Sequence, residues 1–550
     1  MSDDANPSAS KDGPITYRNR WAFWIGVAAV TAGVLGHLPM YLMGSGNGYR
    51  LDGMAMDTPM LLGMLAIVVG FGLSLYGLWP VRPTALGSGP TTAPEIAALD
   101  DAPLNRHHVA LLVAMAIAVT IDIMKPTALA FVMPGMSLEY GLRSPLNPGG
   151  TIPVAFVALS GISGTVLGSF LWGWLGDRIG RRASILYAGI AFIGTSICGA
   201  MPSFGWNLAM CFLMGLAVGG MLPICYALMA ETIPARHRGW LMIMIGADIA
   251  GAYILTSWLA AALVPEYSWR ILWLIGLPTG VLFILLNRWI PESPRFLLVH
   301  GRNREALEVM KRYGAVIRER KAAPALLPSQ AGWSLMLSPA NRSLTWVVGC
   351  LAVGAGIVLF GFNLWIPTNL RKLGFAEPDA MLRNAALMGL PLTPVVAWLY
   401  GAWSSKKTLL ILTALTAGAL LAFALLGDLV LQNRWLLYVL LAIPIWGISS
   451  VVSVLSVYSS EIYPTLVRSR AAGFVAGASK AGGVAVISLV VVGIAPPSPA
   501  TIALVGAVPL LVAAVLLAMF GVETRRRRLE EIETESALAA RALTPGYTGR

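Results

Sequence analysis

Apolar runs of about twenty residues, separated by short polar joints, recur about fourteen times along this chain, and that pattern leaves few folds open. Hydrocarbon offers no partner to a backbone N–H or C=O, so only helices and closed barrels can cross a bilayer. A barrel strand needs roughly 10 residues of alternating polarity, whereas a helix needs about 20 predominantly apolar ones. The runs at 21–44, 59–80, 108–133, 151–174, 183–201, 207–230, 239–263, 270–290, 344–367, 382–402, 408–426, 435–458, 471–494 and 500–521 are of the second kind and rich in Gly and Ala. An all-α integral membrane chain of about 14 spans is expected. Only 12% of residues are charged and 57% are hydrophobic, against about 25% charged in a soluble domain. The mean hydropathy is +0.71.

The formal net charge of +12 would suit a nucleic-acid binder, but the basic residues are segregated. Residues 288–342 hold ten Lys/Arg and the tail opens with Arg525–Arg528, while 202–206, 427–433 and 495–499 are nearly free of them. Only 368–383, with Arg371, Lys372 and Arg383, opposes the trend. The positive-inside rule then predicts a multi-pass protein of the plasma (inner) membrane with both termini cytoplasmic. The partner is the lipid bilayer, not nucleic acid. Cys198, Cys211, Cys225 and Cys350 all fall inside apolar runs, so no disulfides are expected. The first run lacks a small-residue cleavage site and reads as an uncleaved span.

One string occurs twice. Glu231-x-x-Pro234-x-x-x-Arg238 returns 230 residues later as Glu461-x-x-Pro464-x-x-x-Arg468. Self-similarity at so long a period means two homologous halves. The chain therefore divides into a leading hairpin with its linker (1–107), six spans (108–290), a linker (291–343), six more spans (344–521) and a tail (522–550). Within the linker, Ala306, Val309, Met310, Tyr313 and Val316 recur at helical spacing, which predicts an amphipathic helix. The hairpin's His37, Met40, Met43, Met54, Met56, Met60 and Met64 have the chemistry of a soft-cation site, yet Met at this density also fills irregular packing surfaces. Packing on the outside of the bundle is expected, with no metal and no cofactor.

Between the fourth and fifth apolar runs stands Gly173-Trp-Leu-Gly-Asp177-Arg178-Ile-Gly180-Arg181-Arg182. Glycines there let two spans approach closely, and Asp177 can sit at a helix N-terminus. The string resembles the signature loop of the major facilitator superfamily. Gly401-Ala-Trp-Ser-Ser-Lys406-Lys407 is its degenerate counterpart, without the acid. Pro291-Glu292-Ser293-Pro294-Arg295 and Gly521-Val-Glu523-Thr-Arg525, with the duplicated string, resemble the motifs of the sugar porter and metabolite:proton symporter branch. Over roughly 108–530 the resemblance implies two six-helix bundles, alternating access and a central cavity. It also implies a cytoplasmic ion-pair latch of Asp177, Arg178, Arg181, Glu231, Arg238, Glu292, Arg295, Glu461 and Arg468.

Four charges fall inside spans: Asp122, Lys125, Asp248 and Lys480. Each costs roughly 2.5–3.5 kcal/mol at the bilayer centre, so they should face a cavity or one another. Asp122 and Lys125 are three residues apart and so share a helix face. Pro126 deprives the Asp122 carbonyl of its helical donor. A substrate anion that draws Lys125 away would favour protonation of Asp122, and Asp248 is an equal candidate for proton carrier. Many relatives carry an arginine where Cys211 stands, and Lys125 is expected to replace it. Phe360-Gly-Phe-Asn363-Leu-Trp365-Ile-Pro367 resembles the seventh span of organic-anion symporters, and Ser449, Ser450, Ser453 and Ser456 either line the cavity or serve packing. The expected substrate or proton ligands are thus Asp122, Lys125, Asp248, Asn363, Trp365 and Lys480. They predict a secondary transporter of a small organic anion or sugar-like metabolite with proton as coupling ion. A drug exporter or a transport-inactive nutrient sensor of the same fold remain alternatives. No nucleophile–base motif accompanies the five histidines, so no enzyme is expected.

Overall fold

The computed structural model describes residues 17–80, 92–94, 97–144, 147–246, 249–316, 319–321, 333–339, 341–362, 384, 387–426, 428–491 and 499–532. Within these residues the chain is helical apart from a pair of three-residue strands, and twelve helices are long and apolar enough to cross a membrane. Two of the fourteen expected spans are not among the twelve. The run at 239–263 divides into helices Ala235–Gly246 and Ile249–Tyr267 on either side of 247–248, and 382–402 is only partly described.

Small residues set the helix spacing. Leading helices Arg20–Leu35 and Thr58–Leu78 cross with Gly26 against Gly70 and Gly33 against Gly63. A Cβ on Gly70 would lie 2.7 Å from the Gly26 carbonyl, so these backbones touch directly. The hairpin packs on helix Arg181–Gly194, through Phe71 against Tyr187. Its loop reaches the far end of the same half, where Tyr41 donates to the Tyr267 carbonyl (2.8 Å) and the Leu51 amide to Glu139 (2.9 Å). His37 is fully buried, with Nδ1 on the Gly33 carbonyl (2.7 Å).

Two linkers meet at the opposite end, here called the linker face. Thr92–Pro94 pairs antiparallel with Glu319–Lys321. Helix Asn303–Arg312 buries Ala306, Val309 and Met310, followed by buried Tyr313. Val316 does not join that apolar face: Gly314, at φ +81°, turns the chain away and leaves Val316 exposed. All four cysteines are free.

Candidate functional site

The duplicated string is built as two reciprocal pairs. Glu231 of the first copy accepts from Arg468 of the second (2.8 Å), and Glu461 of the second accepts from Arg238 of the first (3.1 Å). Both pairs are buried and both join the two halves at the linker face. In each copy Glu ends a long helix and Arg lies at or near the start of the next, so the proline break between them aims both side chains at one spot.

The signature loop tightens this closure from one side. Asp177 Oδ1 accepts from the Ser469 N–H (3.1 Å) and Oδ2 from the Arg470 N–H (3.0 Å). It therefore stands at the N-terminus of helix Arg468–Val491 in the other half, where orphan amides and the dipole favour an anion. Arg181 binds Glu231 (2.9 Å), Asp177 (3.2 Å) and, across the halves, the Thr465 carbonyl (2.9 Å). The loop glycines serve the crossing of the halves rather than a tight turn alone. A Cβ on Gly173 would lie 2.7 Å from the Ser469 carbonyl, and one on Gly473 would clash with that of Ser169. Gly180, at φ +104°, makes the turn itself. In the second half, hydroxyls reach Glu461 as Arg181 reaches Glu231: Tyr400 (2.7 Å) and Thr524 (2.6 Å) both donate to Glu461 Oε2.

Two expected latch residues, Glu292 and Arg178, do other work. Glu292 caps its own half, accepting from the N–H groups of Arg181 (2.8 Å), Ser293 (3.0 Å) and Arg182 (3.3 Å). Burial pushes its carboxyl up, and those amides and Arg181 only partly offset this. Glu523 does the same in the second half, accepting from the Ser405 N–H (2.8 Å) and from the hydroxyls of Ser404 and Ser405. Burial alone would raise its carboxyl too, but the two hydroxyls and the amides hold it below the ordinary value. The glutamates spaced 231 residues apart are thus matched helix caps, not a second cross-half pair. Arg178 is exposed and lies 5.5 Å from the rings of both Trp79 and Trp174, so it ties the hairpin to the bundle instead of joining the latch. Arg295 binds Glu530 in the tail (2.9 Å) and Asp100 (2.7 Å), the latter a residue the motif reading missed.

Midway along the bundle the charges pair differently from expectation. Lys480 of the second half lies close enough to Asp122 to act on it electrostatically, without an ion-pair contact, while Lys125 is turned elsewhere. Lys480 crosses the interface to donate to Ser169 Oγ (3.1 Å) and the Gly219 carbonyl (3.2 Å). That carbonyl lacks its helical donor because Pro223, four residues on, has no N–H to offer it, and it accepts from Ser169 Oγ (2.7 Å) as well. Asp122 sits one turn along, beside the Leu222 amide and Cys225, and its Oδ1 has no hydrogen-bond partner among the described residues. Pro223 was visible in the sequence; the meeting of the Gly219 carbonyl with Lys480 was not. Lys125 instead turns into the first half, towards the Trp273 carbonyl (3.4 Å) and a cavity of about 20 Å³ between Ile121, Thr256, Leu272 and Gly276. That space holds about one water molecule. Of the serines, Ser449 and Ser456 bond their own helix backbone and Ser453 bonds the Gly246 carbonyl, which is packing chemistry. Asp248, Asn363 and Trp365 lie outside the described residues.

The family model for "Sugar (and other) transporter" matches residues 133–535. The niacin transporter NiaP of Acinetobacter baylyi is 25% identical over 451 residues, 80% of this chain and 99% of that protein. The 4-hydroxybenzoate transporter PcaK of the same organism is 24% identical over 407 residues, 70% of this chain and 85% of that protein. Among solved structures, the proton:xylose symporter XylE bound to 6-bromo-6-deoxy-D-glucose aligns with a TM-score of 0.64 at 17% identity, over 78% of this chain and 99% of that one. At that identity the likeness concerns the fold, and it is that of the major facilitator superfamily. The match spans both copies of the duplicated string and both helix-capping glutamates, and on that ground the chain belongs to the sugar (and other) transporter family, as a membrane transporter and not an enzyme.

Proposed function

We propose that this protein carries a small organic anion of the aromatic carboxylate class across the plasma membrane by alternating access, in symport with protons. Bundles 108–290 and 344–521 rock about a central site, and the linker face with both termini is cytoplasmic, as the Lys/Arg distribution argues. The observation that carries this is the Asp122–Lys480 juxtaposition across the halves, with one buried carboxylate oxygen unpaired. Charges so placed are costly unless used. Lys480 is a counter-ion for a substrate carboxylate, and a carboxylate deprived of its cation is more readily protonated. Asp122 would then take up a proton as substrate engages Lys480, with Asn363, Trp365 and Asp248 completing the site on sequence grounds. Niacin and 4-hydroxybenzoate, named for two relatives, are both aromatic carboxylates, and XylE is named a proton symporter.

The test is uptake into proteoliposomes of labelled nicotinate, 4-hydroxybenzoate and xylose, with and without an inward proton gradient. A carboxylate should accumulate only with the gradient. Flux indifferent to the gradient would refute proton coupling, and accumulation of xylose alone would refute the anion class.

A further inference from the structure

The segment that joins the leading hairpin to the first core span does not bypass the gate. Asp100 is buried in it, with one carboxylate oxygen for each of two arginines: Oδ1 to Arg238 Nη1 (3.3 Å) and Oδ2 to Arg295 Nη2 (2.7 Å). Arg238 belongs to the first half and Arg295 to the linker that follows it; each also donates to a first-half carbonyl, Arg238 Nη1 to Ala230 (3.4 Å) and Arg295 Nη1 to Glu231 (3.2 Å), and each sends a further donor to the second half or its tail. Arg238 Nε binds Glu461 (3.1 Å) and its Nη2 the Arg527 carbonyl (2.8 Å), while Arg295 Nε binds Glu530 (2.9 Å). Leu99 and Ala102 are buried on either side of the acid, and Asp101 pairs with Arg528 of the tail at the surface.

The charges explain why an acid is needed at this point. At the closed gate the carboxylates Asp100, Asp177, Glu231, Glu461 and Glu530 meet the guanidiniums Arg181, Arg238, Arg295, Arg468 and Arg470. Asp100 adds a second carboxylate beside each of two of these arginines, Arg238 with Glu461 and Arg295 with Glu530. Without it, two guanidiniums with almost no solvent exposure would each keep one acid, on the second half or its tail, but lose the carboxylate that fixes the Nη side, and a buried donor left without its acceptor is unfavourable. Once the halves part, water can hydrate both guanidiniums and the acid matters less. Asp100 therefore acts on the closed state selectively.

We infer that Asp100 is a gate-positioning residue, and that the strap 97–102 orients Arg238 and Arg295 towards the second half and its tail so as to hold the linker face shut. The added hairpin is thereby coupled to the transport cycle through its connecting segment. This rests on the alternating-access reading given above and adds to it a component outside the duplicated halves.

The test uses the full chain, spin-labelled at Arg236→Cys and Lys407→Cys on opposite halves of the linker face in a background without the native cysteines. Asp100→Asn should raise the ratio of open to closed gate distances on the order of tenfold or more. Asp100→Glu should restore most of the closed population, and Asp101→Asn, which breaks only an exposed pair, should change little. An Asp100→Asn distribution equal to wild type overturns the inference. If Asp100→Asn does not fold, hydrogen exchange of 97–102 decides: it should slow when the two cysteines are cross-linked shut, and exchange indifferent to the cross-link overturns the inference equally. Flux measured in parallel keeps the claims apart. An Asp100→Asn shift in a protein whose wild type moves no substrate leaves the gate role standing and refutes the transport reading.

Discussion

Glu231→Gln is the perturbation that the gate geometry prices most sharply. Glu231 is fully buried, and one of its oxygens takes Arg181 (2.9 Å) from its own half and Arg468 (2.8 Å) from the other. Removing one partner of a buried ion pair costs about 3–5 kcal/mol. Part of that returns here, because Arg181 keeps Asp177 at 3.2 Å and glutamine can still accept a hydrogen bond. A net loss of about 2–3 kcal/mol from the closed state shifts the open-to-closed ratio roughly 30- to 150-fold. The labelled pair at Arg236→Cys and Lys407→Cys reads this directly as a gain of the longer distance. Arg468→Gln should do the same, and the double variant should shift less than the two singles combined, since the guanidinium left uncompensated is then absent. A Glu231→Gln distribution matching wild type, or a coupling below about 0.5 kcal/mol, would refute the reciprocal latch.

Glu292→Gln should lower thermal stability by about 1–2 kcal/mol while leaving the gate distances alone, because its amide partners all lie in the first half; differential scanning fluorimetry beside the distance measurement checks this. Gly473→Leu should force the halves apart at the Ser169 carbonyl and populate the open distance, whereas Gly46→Ala, with nothing within 4 Å, should be silent. Burial alone would raise Glu530, but Arg295 overrides it and holds the carboxyl down at about 2. Its share of tail docking is therefore fully present above the ordinary carboxylate value of about 4.3 and is lost only as pH falls through about 2. Hydrogen exchange at 529–532, corrected for intrinsic rate, should be unchanged between pH 7 and 5; marked deprotection at pH 5 would contradict it.

The sequence made the fold class legible because lipid permits so few structures, and the residues of the Glu231–Arg468 and Glu461–Arg238 pairs legible because duplicated motifs fix residue types at fixed places. Glu292 reads as a latch acid from its motif but caps a helix, since a carboxylate beside arginines looks alike whether it binds a guanidinium or a row of helix amides. Asp100 escaped notice because no spacing within the leading linker hints at Arg238 or Arg295. The Asp122–Lys125 pairing followed from helical spacing alone, which shows what can meet on one helix and nothing about what another helix brings. Lys480 from the other half meets a Gly219 carbonyl that Pro223 leaves without its helical donor and that Ser169 Oγ also binds, and that needs three helices in place at once. Val316 failed for a simpler reason, the turn at Gly314.

The most direct test of proton-coupled transport compares wild type with Asp122→Asn in proteoliposomes, scoring gradient-driven accumulation of a labelled aromatic carboxylate beside its equilibrium counterflow exchange. Asp122→Asn should abolish accumulation while retaining exchange, since the site and the rocking persist without the proton. Accumulation at the wild-type level in Asp122→Asn would contradict the account.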